Sequence, residues 1–448
     1  MKKVSLIAIN SSWSQSNLAL YYLREMIRDL PLQVQMQVFS TREPVLQIVE
    51  AIHHQKADIL CFSAYIWNRS YLQAILKILR KLLPEAVFVV GGPESAVFAD
   101  IEGCHVIKGA GEATFYALAA SGFQHLDSAS SSLHLAEIPF PYRPDDKAEL
   151  EDHLVYYECY RGCPYGCIYC LSASDRRCES RFNMVSQQDR ISLHTELDAL
   201  LALKPRTLKF IDRSFNINKE LAHYIWNYAI QDESETDFHF EIYPDLITSE
   251  DLQLLEKAKP GKIRFEIGIQ TINAEVAAAS GRKSNWEQSR RILNKLRDFG
   301  NIRVHADLLA GLPGETKASV LASLDALCLC EPAAVQLGML KILPDTPMRE
   351  VARERGYIWM EDPPYQVLAT DKMSFAELCD LDDFAHLLSL YWNKEEFKPE
   401  WHELLQNHPA SAILTNLKAI HQELGMPLHS VSKEKRQKVM GILRERDS

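Results

Sequence analysis

The chain opens on an apolar run, VSLIAIN (4–10), followed by NLALYYLREMIRDL (17–30), whose apolar positions recur at helical spacing. The same pair of patterns returns three times. QVQMQVFS (33–40) precedes EPVLQIVEAIHHQK (43–56), ADILCFSA (57–64) precedes SYLQAILKILRKLLP (70–84), and AVFVVGG (86–92) leads through a turn to HVIKGAGEATFYALAAS (105–121). Nearly continuous apolar strands, each followed by an amphipathic helix, predict a five-stranded parallel sheet covered on both faces, a doubly wound (Rossmann-like) α/β domain over residues 1–122. In such a sheet a ligand lies at the carboxyl ends of the strands. The loops there supply Trp13 and Asn17, Ser63 and Tyr65, Gly91, Gly92 and Glu94, and Gly109 and Glu112. None is a GxGxxG turn after the first strand, which disfavours a nicotinamide cofactor.

Residues 123–150 read as a linker, with the serine-rich SASSS (128–132) and then IPFPYRPDD (138–146), whose three prolines predict an extended path. Alternation resumes from residue 151. Strand candidates VYYECY, TLKFIDRSF, FHFEIYPDL, IRFEIGIQT, VHADLLAGLP and VQLGMLKILP are separated by helical stretches. Six such repeats predict a partial (β/α)6 barrel over 151–370. Residues 371–448 turn polar and helical, a small accessory region with Trp392, Phe397 and Trp401 as packing anchors.

Composition narrows the class. At 448 residues, 47% apolar and 24% charged, the chain resembles a globular enzyme. MKKVSLIAIN imitates a signal peptide, yet its apolar run breaks at Asn10 and lacks a small-residue cleavage site, so it reads as a first strand. No segment nears the ~18 apolar residues that span a bilayer, and a cytoplasmic protein is expected. The net charge of −11 disfavours nucleic acid as the main partner.

Four of the ten cysteines crowd into YYECYRGCPYGCIYC (156–170). Zinc would want a second, separated CxxC pair, and there is none. Cys163, Cys167 and Cys170 form CxxxCxxC directly after the first barrel strand, three thiolates suited to a [4Fe-4S] cluster with one iron left open. Gly162 and Gly166 permit the wrapping this needs. Cys159, within the strand, and Cys178 read as packing residues, and Cys61, Cys104, Cys328, Cys330 and Cys379 as core thiols.

CxxxCxxC with Tyr169 before its last cysteine, inside CYRGCPYGCIYC and accompanied by FEIGIQT, DLLAGLPGET and the IPFPY linker, resembles the radical S-adenosylmethionine (SAM) superfamily, in the branch with an N-terminal cobalamin (B12)-binding domain. The resemblance covers residues 1 to about 370. It implies that SAM chelates the open iron and that the reduced cluster splits it to a 5'-deoxyadenosyl radical, with electrons from an external flavodoxin- or ferredoxin-like donor. The Tyr169 backbone would then meet the adenine. Glu241 or Gln270 would bind the ribose, Arg282 the SAM carboxylate, and Asp307, with Asp212 and Gly311 to Glu315, would supply further polar groups.

DxHxxG, the pattern of a histidine ligand to cobalt, is absent from residues 1–150, and His53, His54 and His105 fall in a helix or a strand. The resemblance therefore implies cobalamin without a histidine on its lower face, covered by Trp13 or another loop residue, which favours radical methyl transfer. The expected activity is methylation of an unactivated carbon in a small molecule or peptide. A cobalamin-assisted rearrangement or cyclisation is the alternative. A methylthiotransferase is disfavoured because no second cysteine triplet precedes the barrel. A non-catalytic cobalamin or redox sensor would have no use for the open iron.

Overall fold

The computed structural model describes residues 1–125 and 132–447, so all but the last residue of the SASSS patch lies outside the described residues. The chain divides into two compact units. Met1–Tyr160, Glu179–Lys209 and Ser234–Thr236 form the first, and Arg161–Cys178, Phe210–Glu233 and Asp237–Ser448 the second.

In the first unit, β1 (Lys2–Asn10), α1 (Leu18–Met26), β2 (Leu32–Ser40), α2 (Val45–His54), β3 (Ile59–Ser63), α3 (Arg69–Leu82), β4 (Val87–Gly91), β5 (Cys104–Ile107) and α4 (Glu112–Ala120) follow one another as the pattern predicts. The parallel strands lie in the order β2-β1-β3-β4-β5. Strand alternation sends Ile7, Ile9, Leu60, Phe62, Phe88 and Val90 to one face, against Ile48 and Ile52 of α2 and Ile75 and Leu79 of α3. Leu6, Ala8, Cys61 and Val89 face the other way, onto Leu20 of α1 and Phe115 and Leu118 of α4. The central strands β1, β3 and β4 are thus buried on both faces and carry few polar residues, whereas β2 at the sheet's edge is mostly half-buried and carries Gln33, Gln35 and Gln37.

The proline-rich segment is bound to this domain. Arg24 of α1 donates to Asp146 at 2.7 Å and to the Pro141 carbonyl at 3.0 Å, and Tyr142 donates to the Tyr156 carbonyl at 2.6 Å. A helical turn, α5 (Lys147–Leu150), leads into β6 (Leu154–Tyr157). VYYECY was expected to be one strand, but it breaks after Tyr157 and resumes only as β7 (Tyr160–Arg161), so Cys159, fully buried, sits in the break rather than within a strand. β8 (Glu179–Ser180), α6 (Gln187–Ala202) and β9 (Thr207–Phe210) follow.

The second unit carries α7 (Lys219–Gln231), β10 (Asp237–Ile242), α8 (Ser249–Leu255), β11 (Ile263–Gln270), α9 (Ala274–Ala279), α10 (Trp286–Phe299), β12 (Ile302–Ala310), α11 (Lys317–Cys328), β13 (Ala334–Met339) and α12 (Met348–Glu354). With β6 and β9, these complete the six strand-and-helix repeats. β10, β11, β12 and β13 pair in parallel in that order. Their apolar positions face the helices, where Phe210, Phe215, Phe240, Phe265 and Trp226 pack ring against ring. Their opposite face carries Glu241, Glu266, Gly268, Gln270 and Asp307, a polar surface at the end where the strands finish.

Beyond α12 lie a short hairpin, β14 (Ile358–Trp359) and β15 (Val367–Ala369), and the helices α13 (Phe375–Leu387), α14 (Lys398–Leu404), α15 (Ala410–Glu423) and α16 (Lys433–Asp447). Trp392, Phe397 and Trp401 are buried as expected, with the two indoles 5.0 Å apart. Asn393 accepts from the Val335 amide at 2.9 Å and donates to its carbonyl at 3.0 Å, pairing with β13 as another strand would. Cys379 is exposed on α13, not a core thiol, and Cys104 is only half-buried. No helix among the described residues is long and apolar enough to cross a membrane.

Candidate cofactor site

The cysteine loop is shaped by two glycines that side chains cannot replace. Gly162 (φ +93°) folds the chain back so that the Cys163 amide donates to the Asp175 carbonyl at 3.0 Å, and a Cβ on Gly162 would stand 2.7 Å from that same oxygen. Gly281 (φ +68°) packs so closely under the loop that its Cβ would lie 2.4 Å from the Gly166 carbonyl oxygen. The Ile168 amide donates to Ser280 at 3.1 Å, and the Ile168 carbonyl accepts from Met348 at 2.9 Å. Backbone bonds therefore hold the loop independently of any group its thiols bind.

Cys163, Cys167 and Cys170 open onto one cavity of about 240 Å³, and all five residues expected to contact SAM, Tyr169, Glu241, Gln270, Arg282 and Asp307, line it too. Asp212, almost wholly buried, and the Gly311–Glu315 turn do not. Among the described residues no group of three His, Cys, Asp or Glu side chains is placed to hold a single metal ion. Three thiols lining one cavity fit an iron-sulfur cube bound at three corners.

The strand end beside them is bent. Register between β11 and β12 slips between Gly268 and Gln270, and Gln270 takes the left-handed backbone (φ +67°), which turns its side chain back over Gly268. A Cβ on Gly268 would meet Gln270 Nε2 at 2.4 Å. The Gly268 carbonyl accepts from Arg282, whose guanidinium lies 4.9 Å over the Tyr243 ring, and Tyr243 stacks on Tyr165 at 4.2 Å. Burial opposes the charge of Arg282, yet Tyr169, Tyr243 and Cys167 beside it raise its pKa further. Its Nε is buried with no hydrogen-bond partner, a donor left over for an anionic ligand. Burial likewise pushes the Tyr169 hydroxyl above its ordinary range. These features fit a cluster and a ligand bearing a carboxylate.

Arg213 and Glu266 also line the cavity and escaped sequence reasoning. Arg213 pairs with Glu241 at 3.0 Å, and the Glu241 charge raises its pKa. Both were legible in principle: Arg213 follows Asp212 within FIDRSF, and Glu266 shares the strand face of Gly268.

Glu315 ties the loop after β12 to Thr271 after β11. Burial pushes its carboxyl up to about 8 even though Thr271 and the Leu312 and Gly311 amides favour the ionised form. Because the folded value exceeds the ordinary 4.5, folding takes up a proton. Stability is then full below the ordinary value and declines as pH rises toward about 8. Glu315→Gln is expected to remove this decline, a difference on the order of 2–3 kcal/mol between pH 5 and 8 measured by urea unfolding of both proteins. Parallel pH profiles would refute the assignment.

In the first unit the expected cobalamin residues gather at one edge of the sheet. Asn17 Nδ2 reaches Asn10 Oδ1 at 3.3 Å and Ser63 Oγ at 3.4 Å, joining the loops after β1 and β3. Gly92 (φ +102°) lies so near that its Cβ would be 2.5 Å from the Ala64 carbonyl, and the Glu94 amide donates to that oxygen at 3.1 Å. Glu94 itself pairs with Arg69 at 3.3 Å. Gly91 ends β4, Gly109 (φ +71°) has open space about it, and Glu112 begins α4. Trp13 is half-exposed. So is Trp67, not anticipated from sequence, which stacks on Tyr65 at 4.4 Å and donates to the Ile9 carbonyl at 3.2 Å. Two half-exposed indoles at the strand ends fit a large planar ring. His53 and His54 close α2 and His105 lies in β5, away from these loops.

Residues 157–327 match the radical SAM superfamily, residues 4–119 the B12 binding domain, and residues 353–436 a protein family of unknown function, DUF4080. An oxygen-independent coproporphyrinogen III oxidase of Cereibacter sphaeroides is 34% identical over 107 residues, 24% of this chain and 23% of that protein. TokK of Streptomyces tokunonensis, a cobalamin-dependent radical SAM methyltransferase, is 24% identical over 366 residues, covering 70% of this chain and 51% of TokK. The chain thus spans about a quarter of the first relative and about half of the second. Among solved structures, the cobalamin-dependent SAM radical enzyme OxsB superposes with a TM-score of 0.67 at 16% identity, covering 100% of this chain and 79% of that one. TsrM, a radical SAM methyltransferase of Kitasatospora setae with cobalamin and [4Fe-4S] cluster bound, gives 0.64 at 16% identity, covering 100% of both chains. At such identities the likeness is one of fold.

Proposed function

We propose that this chain, which joins a B12-binding domain to a radical SAM domain, is a cobalamin-dependent radical SAM enzyme that methylates an unactivated carbon of a small molecule or peptide. The observation that carries the reading is the single cavity on which the three loop cysteines, Arg282 and Gln270 meet. When bound, the cofactors supply the hard chemistry: the reduced cluster cleaves SAM to an adenosyl radical, and cobalamin delivers the methyl group.

The protein's part is to bind, orient and shield. Cys163, Cys167 and Cys170 hold the cluster. Arg282, fixed by the Gly268 carbonyl and the Tyr243 ring, receives the SAM carboxylate. Glu241 or Gln270 would take the ribose, the Tyr169 backbone the adenine, and Asp307 would supply a further polar group. Loops at the sheet edge, with Asn17, Ser63, Tyr65, Gly91, Gly92, Glu94, Gly109 and Glu112, would hold cobalamin, with Trp13 or another loop residue covering it. The functional domains run 1–122, 151–370 and 371–448, joined by the 123–150 segment. The enzyme works in the cytoplasm with an external electron donor.

Reconstitution of the cluster under anaerobic conditions, followed by incubation with SAM, hydroxocobalamin and dithionite as reductant, tests the reading. The expected result is co-elution of cobalamin with the protein and formation of 5'-deoxyadenosine and S-adenosylhomocysteine. Deoxyadenosine without bound cobalamin would sink the methylase reading. Bound cobalamin without S-adenosylhomocysteine would favour the rearrangement or cyclisation instead.

A further inference from the structure

Arg282 stands in a partition between two cavities. Tyr243, Gly268 and Arg282 line both the cysteine cavity and a second, much smaller one of about 10 Å³, room for about one water. Asp245, Ser284 and Ser289 line only the smaller one, so they lie behind the guanidinium and outside the cavity of the thiols. With a gap at its back, the guanidinium depends for its place on the backbone that carries it. That backbone, residues 280–285 between α9 and α10, is anchored at both ends. At the first end the Arg282 amide donates to the Ala277 carbonyl at 2.9 Å, and Gly281 packs on Gly166 of the cysteine loop. Lys283 and Ser284 then make no hydrogen bond among the described residues. At the second end the half-buried Asp245, in the turn after β10, accepts from the Asn285 amide at 2.9 Å through one carboxylate oxygen and from the Ser289 hydroxyl at 3.0 Å through the other. The helix has a cap of its own, since Asn285 Oδ1 accepts from the Gln288 amide at 3.2 Å. Asp245 is therefore not what starts α10; it ties α10 to the end of β10.

Two residues before Asp245, on the same turn, Tyr243 lies under the Arg282 guanidinium at 4.9 Å and stacks at 4.2 Å on Tyr165, which sits between Cys163 and Cys167. One short turn thus touches the cysteine loop, Arg282 and the start of α10. We propose that Asp245 is a positioning residue: through α10 it holds the Arg282 loop at the spacing from the cysteine loop at which one ligand reaches both the guanidinium and the cluster. This rests on the radical SAM reading above. The negative charge of Asp245 is favoured at a helix N-terminus, and its two oxygens fix both the position and the rotation of α10. Asp245 itself touches neither ligand nor thiol and acts only through Arg282.

The test uses the full chain with its cluster reconstituted anaerobically, and reads SAM binding by equilibrium dialysis before any reductant is added. Asp245→Ala is expected to keep its iron and to bind SAM about tenfold more weakly, the loss of one charged contact passed on to Arg282. With dithionite, the KM for SAM in 5'-deoxyadenosine formation should rise in step, while the rate at saturating SAM stays near that of wild type. Asp245→Asn should bind SAM within about threefold of wild type, because its carbonyl still accepts from the Asn285 amide and its amino group can donate to a turned Ser289 hydroxyl. Ser289→Ala, which removes one of the two bonds, should give a smaller fall of the same kind. Added to Arg282→Ala, Asp245→Ala should weaken SAM binding no further. Ser374→Ala removes the cap of α13, which lines neither cavity, and should lower the melting temperature while leaving SAM binding unchanged. Wild-type affinity in Asp245→Ala or Ser289→Ala overturns the proposal. So does an equal fall in Ser374→Ala, or an undiminished fall in the Arg282→Ala background. Loss of iron from Asp245→Ala overturns it too, since the residue then supports the cluster loop itself. If wild-type protein holds its cluster yet binds no SAM, it is the radical SAM reading that fails.

Discussion

Cys167→Ala is expected to leave a folded protein that binds no complete cluster and forms no 5'-deoxyadenosine from SAM. The thiol lies on a cavity wall, and its loop is held by backbone bonds from Asp175, Ser280 and Met348, so its removal costs no more than about 1 kcal/mol of stability. With only two thiolates left, the cube loses its third anchor. Iron after reconstitution should drop from about four per chain to a small residue, with the broad charge-transfer absorption lost. The neighbouring thiols provide the contrast. Cys178→Ala should keep iron and activity. Cys159→Ala should keep both while losing about 1–2 kcal/mol, because that thiol is fully buried. Reductive cleavage of SAM by Cys167→Ala would show that the cluster assignment is wrong.

Gly281→Ala is expected to be nearly as damaging without touching a thiol. The new Cβ would stand 2.4 Å from the Gly166 carbonyl oxygen, a backbone atom that no rotamer change can move aside, and the residue would be forced into the left-handed region. Strain and clash together should cost about 2–4 kcal/mol. Gly166 lies between Cys163 and Cys167, so the displacement pulls two ligands apart and iron binding should fall with thermal stability. Gly261→Ala is the matched control. It has a similar φ (+77°) but nothing within 4 Å of the added carbon, so only about 1 kcal/mol is expected and the cluster should survive. Full iron loading in Gly281→Ala would mean that the loop tolerates displacement and that the close approach carries no constraint on the site.

Much of this site was readable because its parts obey short-range rules. Cys163, Cys167 and Cys170 announce themselves by spacing. Glu241, Gln270 and Asp307 follow from asking which polar residues lie toward a strand's end, and all three line the cavity; Arg282, expected just beyond a strand, lines it too but from the loop after α9. The same rule also picked Asp212, which is turned into the protein, because a strand end offers two faces and the residue beside it, Arg213, took the open one. Cys379 was misplaced for a related reason: composition favours burying cysteine, but its position on α13 points to solvent. Trp67 was passed over since an aromatic after a buried strand usually packs inward, whereas here the Ile9 carbonyl and the Tyr65 ring hold it at the surface.

What the sequence determined by itself is whatever repeats within a turn of helix or a step of strand: the order of strands and helices, the two buried faces of the first sheet's central strands, and three thiols close enough to share a cluster. The tertiary structure decided everything that depends on pairing between distant residues. The slip of register that turns Gln270 over Gly268, the Tyr165–Tyr243–Arg282 stack, the closing of the β13 edge by Asn393 and the packing of Gly281 on Gly166 each depend on segments that the sequence does not place together. Periodicity reports which face of an element is apolar, but side-chain meetings across elements are set by register and backbone approach, and local sequence carries neither.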